Sequence, residues 1–497
     1  MQSKSPDFRF IGLILVLMIG SELHAQDASS SPYSRFGIGD IQAAGVNQNL
    51  GMGGVNIAVY SNTTLNYSNP AAYARLALTT FDAGINAGFM KLQSTDKTQR
   101  TTDASLGYFS MAFPIKHRKS ALGFGIVPLS NVGYLIDDPQ VNDNGDRELH
   151  VYQGKGGLNQ LFVSSGFSIF KGMTAGMSAS YLFGTITQER RVEFDNSTYL
   201  NTRLTDSREQ RGFHFNFGLQ YTIDSLKISP SDSLTTLRKE SIALSDSLRI
   251  LQNLLRDPDQ PSDTIGKASI VISLKEKIKN ISFAEKKVRK RNQRGDWSLI
   301  LGATYSPDAL LNANRSLLAE TFRYLDPITQ DQILVKDTAY SVTGESGDVK
   351  LPSGLAFGVS MKKGSQWLIS SDIRLQNWSQ YRSYGQSDSL ANSYRISLGA
   401  QFVPDDRNFS GFWKQVQYMA GLHYSNSFLS LRGQQLTEAG VSAGLGIPIR
   451  RGMTLIRFMA ETGKRGTTDS GLLEERYVRF TFGMTLNDRW FVKQRYD

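Results

Sequence analysis

Residues 213–221 read FHFNFGLQY, and the apolar side chains fall on every second position. Phe213, Phe215, Phe217, Leu219 and Tyr221 share one face, and His214, Asn216, Gly218 and Gln220 share the other. Period two is the side-chain period of a β-strand, so each such segment carries one apolar and one polar face. The pattern recurs in 477–486 (YVRFTFGMTL) and 394–402 (YRISLGAQF), and 297–305 (WSLILGATY) places Trp297 and Tyr305 at the two ends of its apolar side. Terminal aromatics of this kind suit the two lipid interfaces of a transmembrane barrel. Beyond residue 25, no apolar run approaches the ~18 residues a spanning helix needs. Any membrane-spanning structure in this chain is therefore a closed β-barrel, because lipid offers no partners for the edge of an open sheet.

Alternating segments cover 79–94, 102–114, 120–136, 158–170, 174–194, 205–223, 296–307, 351–362, 366–382, 393–403, 415–431, 436–449, 454–466 and 475–487. Fourteen is an even number, as single-chain bacterial barrels require. The links alternate in length. Those after the second, fourth, eighth and twelfth segments are as tight as KHRKS, FKGM, KKGS and RRGM, while 137–157 and 308–350 read as long loops. Short periplasmic turns and longer external loops are the usual barrel asymmetry. A water-soluble sandwich would also alternate. Two features favour the membrane: the number of long segments, and the Gly, Ser, Asn and Gln on their second face, which suit a polar lumen.

The amino terminus supports export. Lys4 and Arg9 precede an apolar run from Phe10 to Gly20, and Ala25 precedes Gln26. This is the order of a signal peptide over 1–25. At ~1.5 Å per residue the run covers only about half of a ~30 Å hydrocarbon core. Composition agrees with an exported barrel: 27 Phe, 20 Tyr and 5 Trp coexist with a mean hydropathy of −0.29. The chain has no cysteine and only five histidines, His24, His117, His150, His214 and His423, none spaced as metal ligands commonly are. The reading is of a protein with no catalytic site, no cofactor and no metal.

One link breaks the strand pattern. In 224–295 the apolar residues change to a spacing of three and four: Leu234, Leu237, Leu244, Leu248, Leu251 and Leu255, then Val271, Leu274, Ile278, Ile281 and Val288. Ser241 and Glu285 interrupt these seams, and DPDQPSD at 257–263 separates them. The spacing predicts two antiparallel helices, a hairpin on the periplasmic side by turn parity. Fifteen Lys and Arg against nine Asp and Glu give this link +6 of the chain's +10. Lys286, Lys287, Arg289, Lys290, Arg291 and Arg294 are crowded into nine residues. They read either as a solvated helix end, favourable at the dipole's negative pole, or as a contact for anionic lipid heads or an acidic partner. Nucleic acid is not an expected partner of an exported barrel.

Residues 51–76, GMGGVNIAVYSNTTLNYSNPAAYARL, join a glycine-rich start, an alternating stretch and Asn69-Pro70-Ala71. This segment resembles the FadL-type outer-membrane transporter family, the long-chain fatty-acid transporters. The flanks SPYSRFGIGD (31–40) and LNDRWFVKQRYD (486–497) resemble FadL-like proteins of Bacteroidetes-type bacteria. The resemblance implies a 14-stranded antiparallel barrel in the cell outer membrane, with residues 26–78 folded into the lumen as a plug or hatch. It places the barrel at 79–487, with the hairpin inserted, and a periplasmic tail at 488–497. Gly51, Gly53, Gly54, Asn69 and Pro70 become candidate hatch residues. Glycine permits tight turns in a crowded lumen, and Pro70 fixes the chain's direction after Asn69. An ordinary periplasmic arm is the plainer alternative for 26–78. The family commonly has an acidic residue where this chain has Asn62, and the helical insert is not a general family feature.

Two functions follow. The resemblance implies passive uptake of hydrophobic small molecules, entering near loop 308–350, passing a shifting plug and leaving sideways into the bilayer. The basic hairpin instead suggests a non-catalytic subunit or adaptor of a multiprotein outer-membrane machine for secretion or barrel insertion. Gly440-Val441-Ser442-Ala443-Gly444 matches a nucleophile elbow, which requires a strand-to-helix turn. Here the alternation runs on through Leu445, Ile447 and Ile449, so Ser442 and His423 are expected to face the lumen without forming a hydrolase.

Overall fold

The computed structural model describes residues 31–43, 45–143, 145–196, 198–226, 232–256, 269–283, 297–326, 332–405, 411–449 and 454–488. The export signal at 1–25, the six basic residues from Lys286 to Arg294 and the tail beyond Asp488 lie outside them.

Fourteen antiparallel strands form one closed barrel. They are β1 (Thr79–Gln93), β2 (Thr98–Lys116), β3 (Ser120–Pro128 and Ser130–Val141) and β4 (Arg147–Phe170). Next come β5 (Met173–Phe194), β6 (Asn201–Leu226), β7 (Trp297–Ser306 and Ala309–Tyr324) and β8 (Ile333–Leu351 and Gly354–Lys363). The circuit continues with β9 (Trp367–Gln376), β10 (Ser393–Phe402), β11 (Gln417–Leu431), β12 (Gln434–Ile449), β13 (Thr454–Gly466) and β14 (Glu474–Asp488). Pairing of β14 with β1, from Asp488↔Thr79 to Glu474↔Gln93, closes the sheet. The interruptions in β3, β7 and β8 fall just after Pro128 and at Pro307 and Pro352, each a residue without a ladder donor.

Two of the expected loops are strand. Most of 137–157 continues β3 and β4, which pair from Val132↔Gly156 to Val141↔Arg147. Most of 308–350 is the upper hairpin of β7 and β8, paired from Ala309↔Leu351 to Tyr324↔Ile333. The β8 extension lacks the one-sided apolar pattern because almost the whole of Ile333–Leu351 is exposed on both faces.

Where the pattern exists, it is oriented as expected. Phe213, Phe215, Phe217, Leu219 and Tyr221 are exposed on the outside, while Gly218 and Gln220 are buried inside. Val478, Phe480, Phe482, Met484 and Leu486 likewise face out, with Tyr477, Thr481 and Thr485 buried. The barrel's inner face packs against residues 31–78. Near one end Tyr33 and Ile38 join Val132, Leu182, Leu311 and Trp378 in an apolar core; near the other, Val46, Leu65, Tyr73 and Leu76 pack on Tyr108 and Phe162.

Of the insert between Leu226 and Trp297, helices are described over Asp232–Arg256 and 269–283. It leaves the barrel at the end where β1 begins and β14 finishes. Leu244, Leu248, Val271, Leu274, Ile278 and Ile281, all on the expected seams, are half-buried, as is Ser241. The side chains of Leu234, Leu237, Leu251 and Leu255, and residue Val288, lie outside the described residues.

Candidate functional site

The lumenal segment is built from short turns. Ser31 caps the 3₁₀ turn Pro32–Arg35, its hydroxyl accepting from Tyr33 N–H at 3.1 Å and donating to Glu475. A single helical turn, Asn47–Leu50, ends at Gly51. Gly53 and Gly54 follow with φ of +73° and +88°, the left-handed region open to glycine. Gly51 itself has a helical φ of −62°, so its backbone does not demand glycine.

The wall makes more of the room. A Cβ on Gly421 of β11 would lie 2.1 Å from Gly53 N, and one on Gly399 of β10 would lie 2.1 Å from Met52 O. Backbone therefore packs on backbone. Asn69, extended as a residue before proline tends to be, caps the turn Pro70–Arg75: its Oδ1 accepts from Ala71 N–H at 3.0 Å, and its Nδ2 donates to Ile57 O at 2.7 Å. Gly218 and Gly176 face it, where a Cβ would meet Asn69 Oδ1 at 2.0 Å and Pro70 O at 2.4 Å. The sequence reading found the segment's glycines but missed those of the wall. Their signal was inward-facing glycine on otherwise regular strands.

Polar wall residues satisfy the segment's backbone, as burial requires. Asp372 Oδ2 accepts from Ile57 N–H at 2.8 Å, and Gln220 Nε2 donates to Ile57 O at 3.0 Å. Ser442 Oγ accepts from Gly53 N–H at 2.9 Å and donates to Gly51 O at 3.2 Å. Arg457, fully buried, donates to Thr64 Oγ1 at 2.9 Å and lies 3.9 Å from Asp82. Within the segment, the Tyr67 hydroxyl accepts from Gly45 N–H at 2.8 Å; burial pushes this phenol up to about 12, so it stays neutral.

Three lumenal cavities share lining residues. One of about 190 Å³ lies against Ile38, Leu182, Leu351 and Trp378. A second, about 140 Å³, is lined by Arg374, Arg395, Glu438 and Arg465, and a third, about 620 Å³, adds Asp103, Glu475, Tyr477 and Arg479. Ile41 borders all three. On the outer wall a recess of about 910 Å³ is lined by Ile85, Leu445, Phe458, Phe480 and Phe482. Asn86, Ala104, Ser105 and Leu106 border both that recess and the largest lumenal cavity. There the β1–β2 ladder is interrupted: Gly84 pairs with Tyr108 and Ile85 with Leu106, leaving Gly107 unpaired as a bulge.

The elbow-like motif has another use. Gly440 faces His423, where a Cβ would lie 2.5 Å from the imidazole Cε1, and Ser442 serves the lumenal segment. Both face inward, as expected, within an uninterrupted strand. The structure thus brings Gly51, Gly53, Gly54, Asn69 and Pro70 to the inner wall, whereas the six basic residues from Lys286 to Arg294 lie outside the described residues.

The architecture is shared with solved structures. The Ralstonia pickettii toluene transporter TbuX matches over 90% of this chain and 98% of its own, with 11% identity and a TM-score of 0.50. A Pseudomonas aeruginosa FadL homologue matches over 90% and 99%, with 9% identity and a TM-score of 0.51. At such identity the likeness is one of fold. No curated protein matches. The model of the BamG family matches residues 8–286 and 274–497. The FadL resemblance therefore holds for the architecture, while by sequence the chain belongs to the BamG family.

Proposed function

We propose that this protein resides in the outer membrane and carries hydrophobic small molecules passively, from the end bearing Trp378 to the bilayer. The observation that carries this reading is the bulge at Gly107, where four residues border both the lumenal cavity and the apolar outer recess. An apolar solute gains by leaving sideways into lipid instead of crossing to water. TbuX, similar in fold, is a toluene transporter. Residues 31–78 act as the hatch, and movement around Ile41 joins the three cavities. Folded protein in liposomes should speed entry of a fatty acid or an aromatic hydrocarbon at least about tenfold over empty vesicles, as a barrier lowered by ~1.4 kcal/mol requires. Equal rates overturn the reading.

A second reading, a non-catalytic subunit or adaptor of an outer-membrane assembly, is favoured by the insert. Ile242 and Phe283 are 63% and 70% exposed on the two helices of the insert. Gentle detergent extraction should then yield stoichiometric partners, lost when 230–292 is replaced by a short turn. Retention of every partner removes this reading.

A further inference from the structure

Four consecutive strands each send one side chain to a single point on the inner wall: His423 from β11, Glu438 from β12, Glu461 from β13 and Tyr477 from β14. His423, Glu438 and Glu461 each offer a ligand atom, and these atoms lie within 4.8 Å of one another. His423 is 3% exposed. Its Nε2 lies 3.5 Å from Glu438 Oε1 and its Nδ1 3.7 Å from Glu461 Oε1. The edge of a tetrahedral zinc site with bonds near ~2.0–2.1 Å is about 3.3–3.4 Å. From a spread within 4.8 Å, the two carboxylates would therefore close by about 1 Å on one imidazole nitrogen to share an ion.

Two features point to a ligand beyond an ordinary charge network. His423 Nδ1 is buried without a hydrogen-bond partner, although Glu461 stands beside it. The wall is also shaped for these rings: a Cβ on Gly440 would lie 2.5 Å from the imidazole, and one on Gly463 would lie 2.4 Å from the Tyr477 hydroxyl. That hydroxyl donates to Glu438 at 2.7 Å and lies 3.2 Å from Glu461 Oε1 and 3.4 Å from His423 Nε2. The hydroxyl thus holds both carboxylates beside the imidazole, the task of an outer oxygen that orients a ligand set. Glu438 and Tyr477 also line the largest lumenal cavity, which gives an ion access.

We propose that His423, Glu438 and Glu461 form a lumenal site for a first-row divalent cation of the zinc type, with Tyr477 as its positioning residue. One imidazole and two carboxylates select such ions over magnesium and calcium, which favour all-oxygen ligation. Arg479, 3.6 Å from Glu461 Oε2, offsets part of the acidic charge. A bound ion would link β11, β12 and β13 beside the strands of the outer recess. The site stands independently of transport.

The test uses the full chain, purified in detergent, stripped with a chelator and titrated with Zn²⁺ by calorimetry and elemental analysis. One Zn²⁺ per chain is expected, together with a raised unfolding temperature. His423→Gln and Glu461→Gln should each lower affinity by about 10–100-fold, Tyr477→Phe by about tenfold, and His150→Gln should change nothing. Heat-modifiable mobility in gels establishes that each variant is a folded barrel, and Co²⁺ absorption reports nitrogen ligation in the wild type. Substoichiometric Zn²⁺, unchanged affinity in the folded His423 and Glu461 variants, or equal binding of Ca²⁺ would each overturn the proposal.

Discussion

Asp372 Oδ2 accepts a 2.8 Å hydrogen bond from the backbone N–H of Ile57, a residue 315 positions earlier in the chain. The same oxygen accepts from Asn56 N–H at 2.5 Å. Hydrogen bonds to a charged group contribute roughly 1.5–3 kcal/mol each, so this carboxylate is a principal tether of the lumenal segment. Asp372→Ala should release residues 50–60 and lower the urea midpoint of the lipid-refolded barrel. Single-channel recording should show ion conductance that the wild type lacks. A variant as silent and as protease-resistant as the wild type would mean that the tether is redundant.

Gly421 tests shape instead of charge. A valine there places carbon where Gly53 N and Met52 C now sit, both 2.1 Å away. No rotamer relieves a clash of Cβ with backbone. Gly421→Val should therefore insert as a barrel yet expose Met52–Gly54 to proteolysis, whereas Gly411→Val, with φ of −57° and no atom within 4 Å of its Cβ, should behave as wild type.

Arg457 and Asp82 are both buried and 3.9 Å apart. Removing one partner of a buried pair strands the other and costs about 3–5 kcal/mol. Arg457→Leu should show that loss in urea unfolding. Adding Asp82→Leu should recover part of it, because the stranded charge is then gone. A double variant less stable than either single would show the pair to be a net contributor.

At Gly107, deletion of the unpaired residue should restore a continuous ladder between Gly84 and Ile85 on β1 and their partners on β2. Hydrocarbon entry into liposomes should fall about tenfold or more, with the barrel still heat-modifiable. Wild-type entry by the folded deletion variant would exclude the wall as the exit.

The barrel was legible because lipid on one side and a polar lumen on the other impose period two on segments such as 213–221. That signal vanished in the upper half of β8, where water bathes both faces and Lys336, Asp337 and Glu345 replace the apolar residues. The lumenal route of 31–78 was suggested by Gly53, Gly54 and Asn69-Pro70. Its landing sites, Gly399, Gly421 and Asp372, belong to distant strands with no local signature. The cluster of His423, Glu438, Glu461 and Tyr477 was hidden for the same reason: its spacing reflects strand lengths, which differ, instead of a repeat within one element. The basic run beyond the second helix keeps both its readings, solvated helix end or contact surface.

The contact of Met52 and Gly53 with Gly399 and Gly421 also constrains biogenesis. With amide against amide, no slack remains for pulling a side-chain-bearing thread through a finished ring. The leading segment must lie in place while the wall still gapes, and the junction between Thr79–Gln93 and Glu474–Asp488 is the natural last stitch. Ring closure in this protein is thus also the moment at which its own beginning becomes trapped.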